Sequence, residues 1–324
     1  MRRILLTVGL VAGWACPFLA GATLERVVPV NSRIVMLEFS DGRIDFHGLG
    51  QNNSSDVVIN APLNTTAAAN VATYAITSAN DPAYANARQP TKTGRKTQGK
   101  QYTVNGNQVV KEHFIYLELP QAMQRGKAYD FATGSLATNR SSINLTFDEV
   151  TTYAESIHTN QVGYASAAGL KFGYVYKWMG DMATDDSGGA DFSAYLNTPF
   201  HLIPASDRRL AAKVFSGTLK LRKALGSGQS DTTNSGYMRN TFTGADVYEC
   251  DFSSFNTAGT YVLVIEGIGC SHPFVIGPDA LRPAFRTTVR GLFHQRSGQT
   301  ITAAQSTHPK GIDHAPGVNG FSII

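Results

Sequence analysis

"VYECDFSSFNTAGTYVLVIEGIGCSHPFVIG", residues 247–277, contains three short runs of β-branched and aromatic residues separated by Gly, Asn, Ser and Pro. Runs of this length and composition, bounded by turn-forming residues, predict β-strands. Similar runs occur upstream in "GLKFGYVYKW", "PFHLIP" and "AAKVFSGTLKLRK". Their spacing is that of a β-sandwich, so we expect residues 155–277 to form one.

The N-terminal part of the chain shows the same kind of pattern. "SRIVMLEFSD", "HFIYLELP" and "SINLTFDE" are strand-like runs that predict a second β-domain before residue 150. Between them, residues 81–108 are rich in turn formers, Lys and Arg, and we interpret them as a long solvated loop with a hairpin at Asn105-Gly106. The basic run Lys92 to Lys100 is interleaved with Thr, Gly and Gln, which favours an exposed loop over a polyanion site.

The first 22 residues have the pattern of a secretory signal peptide. Arg2 and Arg3 precede an apolar run, and Ala20-Gly21-Ala22 suits cleavage after Ala22. The run is short for a membrane anchor, so we expect a secreted or periplasmic protein with no membrane partner. Removing the leader lowers the formal charge from +4 to +2, and the sequence pI of 8.9 therefore gives no argument for nucleic acid.

Several separated motifs resemble one known family. "IHTNQVGY", "KFGYVY", "VFSGTL", residues 247–277 and "FRTTVRGLFHQRSG" are similar, in this order, to the N-terminal immunoglobulin-like domain and first barrel helix of family 9 glycoside hydrolases, the cellulases. Gly259-Thr260-Tyr261 also resembles the tyrosine corner of immunoglobulin-like sandwiches. The resemblance implies two tandem sandwiches and one helix of a truncated (α/α)6 barrel. The segments are a leader at 1–22, sandwiches at 23–153 and 154–277, and the start of the barrel at 278–324.

The stretch "ALRPAFRTTVRGLFHQRSG", residues 280–298, predicts the amphipathic helix. Apolar residues recur at helical spacing, while Arg282, Arg286 and Arg290 take the other side. The resemblance implies that the apolar side would contact other barrel helices, which this sequence does not contain. We therefore predict an apolar interface with the missing barrel, formed by Phe285, Val289, Leu292 and Phe293.

The resemblance also implies a function for the longer enzyme, the hydrolysis of β-1,4-glucan. An inverting glycosidase needs a base carboxylate and an acid carboxyl group about 6.5–9.5 Å apart. The family's Asp-Ala-Gly-Asp motif does not occur here, so we assign no catalytic residue and no cofactor. We interpret the chain as a non-catalytic part that supports the barrel and is inactive alone. The alternative is an autonomous polysaccharide-binding module with β-glucan as partner.

Other chemical motifs are weak. The acidic stretch "GDMATDDSGGADF" lacks the ligand spacing of an EF-hand, so a solvated loop is favoured over a cation site. The histidines show no metal-ligand spacing, and no G-x-S-x-G motif supports a hydrolase triad. No metal site is assigned.

Four aromatic residues, Phe172, Tyr174, Tyr176 and Trp178, alternate along one predicted strand and share one face. We interpret this row as sandwich core, with Trp178 partly exposed near the strand end and with Lys171 and Lys177 facing solvent. The alternative is a sugar-stacking platform, for which Trp178 is the candidate residue.

The mature chain has two cysteines, Cys250 and Cys270. We predict that they stay unpaired. If "TYVLVIEG" returns beside "ADVYEC" in a hairpin, the two residues lie at opposite ends, roughly 25 Å apart, whereas a disulfide needs Cα atoms within about 4.4–6.8 Å.

Overall fold

The computed structural model describes residues 21–46, 56–103, 106–182, 188–225, 243–296 and 298–313. The chain is mainly β, as predicted. Its strands are β1 Thr23–Asn31, β2 Ile34–Ser40, β3 Gly42–Asp45, β4 Val57–Asn60, β5 Ala75–Thr77, β6 Lys92–Tyr102, β7 Val109–Glu118, β8 Lys127–Ala132, β9 Ser142–Phe147, β10 Ile157–His158, β11 Phe172–Val175, β12 Pro199–Pro204, β13 Phe215–Thr218, β14 Lys220–Lys223, β15 Val247–Asp251, β16 Gly259–Ile265, β17 Gly269–Cys270 and β18 Phe274–Ile276. The α-helices are α1 Thr65–Ala68 and α2 Arg282–His294, and single 3-10 turns form at Val71–Thr73, Pro82–Tyr84, Ser193–Tyr195 and Leu210–Ala212.

The chain divides into two compact units. Unit 1 comprises the described residues of Met1–Val27, Met36–Pro120 and Tyr129–Leu145, and unit 2 those of Val28–Val35, Gln121–Ala128 and Thr146–Ile324. The domain limits expected from the sequence, at 22/23, 153/154 and 277/278, stay predictions. The leader before residue 21 lies outside the described residues.

Three sheets lie mainly in unit 1. Their strand orders are β1-β2-β7-β6, β3-β4 and β5-β8-β9. Tyrosine rings fill much of the core: Tyr84 and Tyr129 pack edge to face at 5.3 Å, and the Tyr129 hydroxyl donates to Asp81 Oδ2 at 2.5 Å. These polar tips have partners, which lets large aromatic residues be buried without loss of hydrogen bonds.

The predicted solvated loop at 81–108 is wrong for residues 92–102. Residues 92–102 form β6, which pairs with β7 from Lys92↔Glu118 to Tyr102↔Val109. The apolar strand β7 is buried on both faces between His113 and Leu117, and it supplies the backbone partners that the polar sequence of β6 cannot specify by itself. The predicted hairpin joins the two strands, and the Gly106 N–H donates to Thr103 O at 2.7 Å. Asn105 lies outside the described residues.

Unit 2 contains two sheets. One has the order β10-β11-β15-β14, and the other has the order β13-β12-β16-β17 with β18 also paired to β16. The sheets approach closely at Gly173 of β11, where a Cβ atom would lie 2.4 Å from Leu263 Cδ2 of β16. Glycine therefore leaves the space that a fully buried leucine of the facing sheet occupies.

The tyrosine corner forms the hydrogen bonds that the motif predicts. The Tyr261 hydroxyl donates to Thr257 O at 3.3 Å and lies 3.4 Å from Ala258 O. However, β15 and β16 lie in different sheets, so the predicted hairpin between them is wrong. The segment 252–258 crosses from one sheet to the other, and Phe255 packs edge to face on Tyr261 at 5.2 Å.

Cys250 and Cys270 are both buried and unpaired, as predicted, but the reason differs from the expected one. Cys250 lies in β15, whereas Cys270 lies in β17 of the other sheet. Burial raises the pKa of Cys250 well above its usual value and that of Cys270 to about 11.

We expect both thiols to be unreactive in the native protein. Attack requires the thiolate, which a raised pKa and burial both disfavour. A small disulfide reagent should therefore react with Cys250 and Cys270 only after unfolding. Rapid reaction under native conditions, or a mass two units lower without reductant, would contradict this prediction.

The predicted C-terminal helix is confirmed as α2, which begins with Pro283 in its first turn. Residues 298–313 follow it as irregular chain, apart from the Ile301↔Lys310 bridge. In the described residues, no helix has the length and apolar character needed to cross a membrane.

Candidate functional site

The outer surface of α2 carries an uncovered apolar stripe. Phe285, Val289 and Leu292 lie three or four residues apart, so they share one side of the helix. They are 67%, 46% and 62% exposed, and α2 has no buried residue. We call these three residues the helix face. Phe293, the fourth predicted interface residue, is half-buried, with its ring 6.0 Å from the Arg296 guanidinium carbon.

The C-terminal end of α2 is held by the chain that follows it. Ser306 Oγ lies 3.1 Å from His294 Nδ1, and the Gly298 N–H donates to Asp313 O at 2.7 Å. Lys310 forms an ion pair of 2.7 Å with Asp313. The Ser306 contact holds the last residue of α2, the other two hold the following segment together, and the helix face remains exposed.

The aromatic row of β11 does not form the sandwich core, contrary to our interpretation of the sequence. Gly173 and Val175 point inward and are buried, whereas Phe172, Tyr174 and Tyr176 are half-buried on the opposite side and Trp178 is 42% exposed. We call these four residues the aromatic face. The small inward residues leave room for Leu263 of the facing sheet, which large rings at those positions would displace.

The two lysines that we expected to face solvent are also placed differently. Lys171 is fully buried, and its ammonium group donates to Ala168 O at 2.7 Å, Asn256 Oδ1 at 2.9 Å and Ser166 O at 3.3 Å. Three acceptors match the three N–H groups of a lysine, which makes burial of the charge tolerable. Lys177 retains only 13% side-chain exposure and forms a 3.3 Å ion pair with Glu155.

Neighbouring strands surround the aromatic face with polar groups. Tyr174 is in register with His158 of β10 on one side and with Glu249 of β15 on the other. Phe172 is in register with Asp251, and Glu249 with Lys220 of β14. The outward surface of this sheet thus combines rings with carboxylates and an ammonium group.

The rings of the aromatic face are held in place. The Phe172 and Tyr174 centroids are 6.3 Å apart, and the His158 ring stacks on Tyr176 at 4.2 Å with 25° between the planes. Burial lowers the pKa of His158, so its imidazole is neutral at pH 7, and Nε2 lies 3.1 Å from Tyr176 O. Trp178 packs against two glycines with positive φ: a Cβ atom would lie 2.3 Å from its ring at Gly188 and 3.0 Å at Gly244.

One histidine of unit 2 lies between a hydroxyl and a carboxylate. His201 Nδ1 is 2.8 Å from Ser216 Oγ, and Nε2 is 3.2 Å from Glu266 Oε1. In a catalytic triad Nε2 faces the nucleophile and Nδ1 faces the acid, which is the reverse of this arrangement. His201 and Ser216 are also a register pair of β12 and β13, so we interpret the contact as cross-strand pairing.

Two carboxyl groups of unit 1 lie in direct hydrogen-bond contact. Burial raises the pKa of Glu38, which pairs with Arg26 and contacts Glu112. The Glu112 pKa is lowered because, although burial raises it, hydrogen bonds from Glu38 and Gln98 and the charge of Lys100 outweigh that effect. Glycosidases hold their two carboxyl groups about 5–9.5 Å apart so that sugar and water fit between them. Glu38 and Glu112 are too close for that chemistry.

A cavity of about 940 Å³ also lies in unit 1. Several polar groups in its lining are already in use: Gln101 Oε1 accepts from Ile44 N at 2.8 Å, Arg43 pairs with Asp45 at 2.9 Å and Thr138 donates to Gly21 O at 3.1 Å. In the described part of the chain, no three His, Cys, Asp or Glu residues converge to hold a metal ion. Of the predicted acidic loop, Asp185 and Asp186 lie outside the described residues.

Comparison with known proteins relates part of the chain to endoglucanases. No protein-family model matches the sequence. A segment of 57 residues is 40% identical to Endoglucanase D of Acetivibrio thermocellus, covering 18% of this chain and 9% of that enzyme. Over this segment the chain is related to an endoglucanase.

Solved structures of family 9 glycoside hydrolases are among the structural neighbours. A metagenome-derived family 9 endoglucanase is 22% identical with a TM-score of 0.34, and the match covers 49% of this chain and 24% of that one. A family 9 protein of Bacteroides ovatus is 20% identical with a TM-score of 0.33, covering 49% and 22%. The chain therefore spans less than a quarter of the length of these relatives.

Proposed function

We propose that this chain is the non-catalytic N-terminal part of a secreted family 9 glycoside hydrolase, and that it supports a catalytic (α/α)6 barrel. The observation that carries the proposal is the helix face, an exposed apolar stripe on the helix that directly follows unit 2's strands. The 57-residue similarity to an endoglucanase supports it.

The helix face is the surface through which the barrel would be supported. Complete burial of an apolar side chain contributes about 1.5–3 kcal/mol, and roughly half or more of each of these three side chains is still exposed. Packing further helices on Phe285, Val289 and Leu292 would therefore contribute a few kcal/mol. Such a contact fixes the barrel to the β-units as one folding unit.

The finer features of the proposal follow from the same resemblance. Unit 2, with two facing sheets and a tyrosine corner, is proposed to be an immunoglobulin-like sandwich, and unit 1 a second one. The leader at 1–22 would direct the protein to the periplasm or outside the cell. Hydrolysis of β-1,4-glucan would be performed by the barrel of the longer enzyme.

The DNA that follows codon 324 tests the proposal directly. If the proposal is correct, an in-frame or frameshifted continuation should encode further amphipathic helices and an Asp-Ala-Gly-Asp motif for the catalytic base. A downstream region that encodes an unrelated gene, with no such motif in any frame, would contradict it.

The chain alone should release no reducing sugar from carboxymethylcellulose. The sequence lacks the family's Asp-Ala-Gly-Asp motif, and Glu38 and Glu112, which are in direct contact, are too close for glycosidase chemistry. A reducing-end assay against a buffer blank checks this, with Glu38→Gln as the matched variant. Turnover that a point substitution within the chain abolishes would contradict the prediction.

A further inference from the structure

We propose that the aromatic face, formed by Phe172, Tyr174, Tyr176 and Trp178, binds an extended chain of β-linked pyranoside sugars. This binding site is separate from the catalytic function proposed for the barrel and does not require the barrel. It would place unit 2 on a polysaccharide surface. The inference rests on the orientation of β11, the polar groups around its rings and the way those rings are held.

The spacing of the rings suits a linear sugar chain. Alternate residues on a strand are about 6.6 Å apart, and the Phe172 and Tyr174 centroids are 6.3 Å apart with 40° between the ring planes, so the rings form a twisted row. The row continues beyond the end of β11 at Val175, where Tyr176 stacks on His158 and Trp178 forms a bridge with Gly189. Pyranosides with equatorial hydroxyls present flat C–H faces that pack on aromatic rings, and their equatorial linkages keep the chain straight. An α-linked glucan forms a coil instead, so it could not stay in contact with successive rings of the row.

The polar groups beside the rings favour a neutral, hydroxyl-rich ligand. Glu249 and Asp251 accept hydrogen bonds, Lys220 donates them, and the Tyr174 hydroxyl can do both. Arg222 of β14 also pairs with Glu249 Oε2 at 3.3 Å, so the surface carries charges of both signs and does not select a polyanion or a polycation. The buried centre of a protein interface is depleted of charged residues, whereas here Tyr174 lies directly beside Glu249. Glu249 Oε2 pairs with Arg222, and Asp251 Oδ1 accepts from the Ser253 N–H at 2.9 Å. A sugar hydroxyl, which both donates and accepts, can extend such a network.

The rings are also ordered before any ligand binds. Tyr176 is stacked on His158, and β11 lies between β10 and β15 in the interior of its sheet. Trp178 packs on Gly188 and Gly244, where any larger residue would collide with the indole. Because these side chains are already ordered, ligand binding costs little side-chain conformational entropy, and more of the stacking energy contributes to affinity.

The protein itself supplies a specific optical probe. The sequence contains two tryptophans, Trp14 and Trp178, and Trp14 lies in the predicted leader. In the mature chain from Thr23, tryptophan fluorescence therefore reports on the aromatic face alone. We expect cellohexaose to change this fluorescence in a saturable way, and maltohexaose, its α-linked counterpart, to leave it unchanged.

Two substitutions that keep an apolar side chain but remove the ring distinguish a loss of stacking from a loss of stability. Tyr174→Leu and Phe172→Leu should each raise the dissociation constant for cellohexaose about tenfold, with unchanged thermal midpoints. Tyr102→Leu is the matched control, because Tyr102 is an aromatic residue of unit 1 that is 57% exposed. Retention on insoluble cellulose gives a second measurement that does not depend on Trp178.

The outcomes are distinct. Saturable binding of cellohexaose that Tyr174→Leu weakens and Tyr102→Leu does not would support the proposal. Absence of saturable binding, equal affinity for maltohexaose, or equal loss in Tyr102→Leu would overturn it. If Tyr174→Leu lowers the thermal midpoint, Phe172→Leu decides. None of these results depends on the downstream DNA, so the two proposals can fail separately.

Discussion

Replacing Phe285 and Leu292 of the helix face with serine is expected to convert the chain from a self-associating protein into a monomer. Both side chains are more than 60% exposed on the same side of α2, and contiguous exposed apolar surface drives association. Sedimentation velocity over about a hundredfold range of concentration should show mass-action behaviour for the parent chain. The double variant should remain monomeric throughout.

The matched control for the helix face lies on the other side of the same helix. Arg286 and Arg290 are also exposed on α2, and Arg286→Ser with Arg290→Ser alters two helical positions without touching the apolar stripe. This variant should associate as the parent chain does. A parent chain that is monomeric over the whole range, with a C-terminal segment as protease-resistant as the strands, would contradict the assignment of the stripe as an interface.

The sequence predicted most elements whose signal is local. The 3.6-residue period of α2 and the short apolar runs of β2, β7, β12, β16 and β18 identify these elements without knowledge of their partners. The helix face was found in the same way, since its members are set by spacing alone. The apolar character of Phe285, Val289 and Leu292 then indicates an interface whether or not the partner is known.

The errors concern properties that depend on distant residues. β6 is polar and rich in Thr and Gly, and its strand conformation depends on pairing with β7. Cys250 and Cys270 lie in different sheets because the segment 252–258 crosses the sandwich, whereas consecutive strands were expected to pair. In both cases the residues of a segment are known from the sequence, but the strand with which the segment pairs is not.

The inverted face of β11 has the same origin. A period of two assigns Phe172, Tyr174 and Tyr176 to one face and Lys171, Gly173 and Val175 to the other, but it does not say which face is inside. Because aromatic side chains are more apolar than lysine, the sequence favoured the aromatic face as the buried one. The facing strand decided otherwise, because Leu263 requires the space above Gly173. The ammonium group of Lys171 is satisfied by the carbonyls of Ser166 and Ala168 just before the strand and by Asn256, which is 85 residues away in sequence.

Lys171 connects the segment that precedes β11 with the segment that follows β15. Its ammonium group holds the carbonyls of Ser166 and Ala168, which precede β11, and the side-chain oxygen of Asn256, which follows β15. The backbone of Lys171 adds two more contacts, from its N–H to Ser253 Oγ at 3.0 Å and from Phe252 N–H to its carbonyl at 3.0 Å. The side chain and backbone of Lys171 together hold the end of the β11 and β15 pair at Phe172 and Asp251.

Lys171→Met should destabilise the protein by about 2–4 kcal/mol, because methionine fills similar space but offers no N–H to three oxygen acceptors. For a unit of this size the thermal midpoint should fall by about 5–15 °C, measured by calorimetry of the mature chain. Lys220→Met, which removes an exposed lysine from β14, should shift it by less than about 2 °C. Equal thermal midpoints for the two variants would contradict this prediction. They would show that removing the buried charge stabilises the protein by as much as the loss of its hydrogen bonds destabilises it.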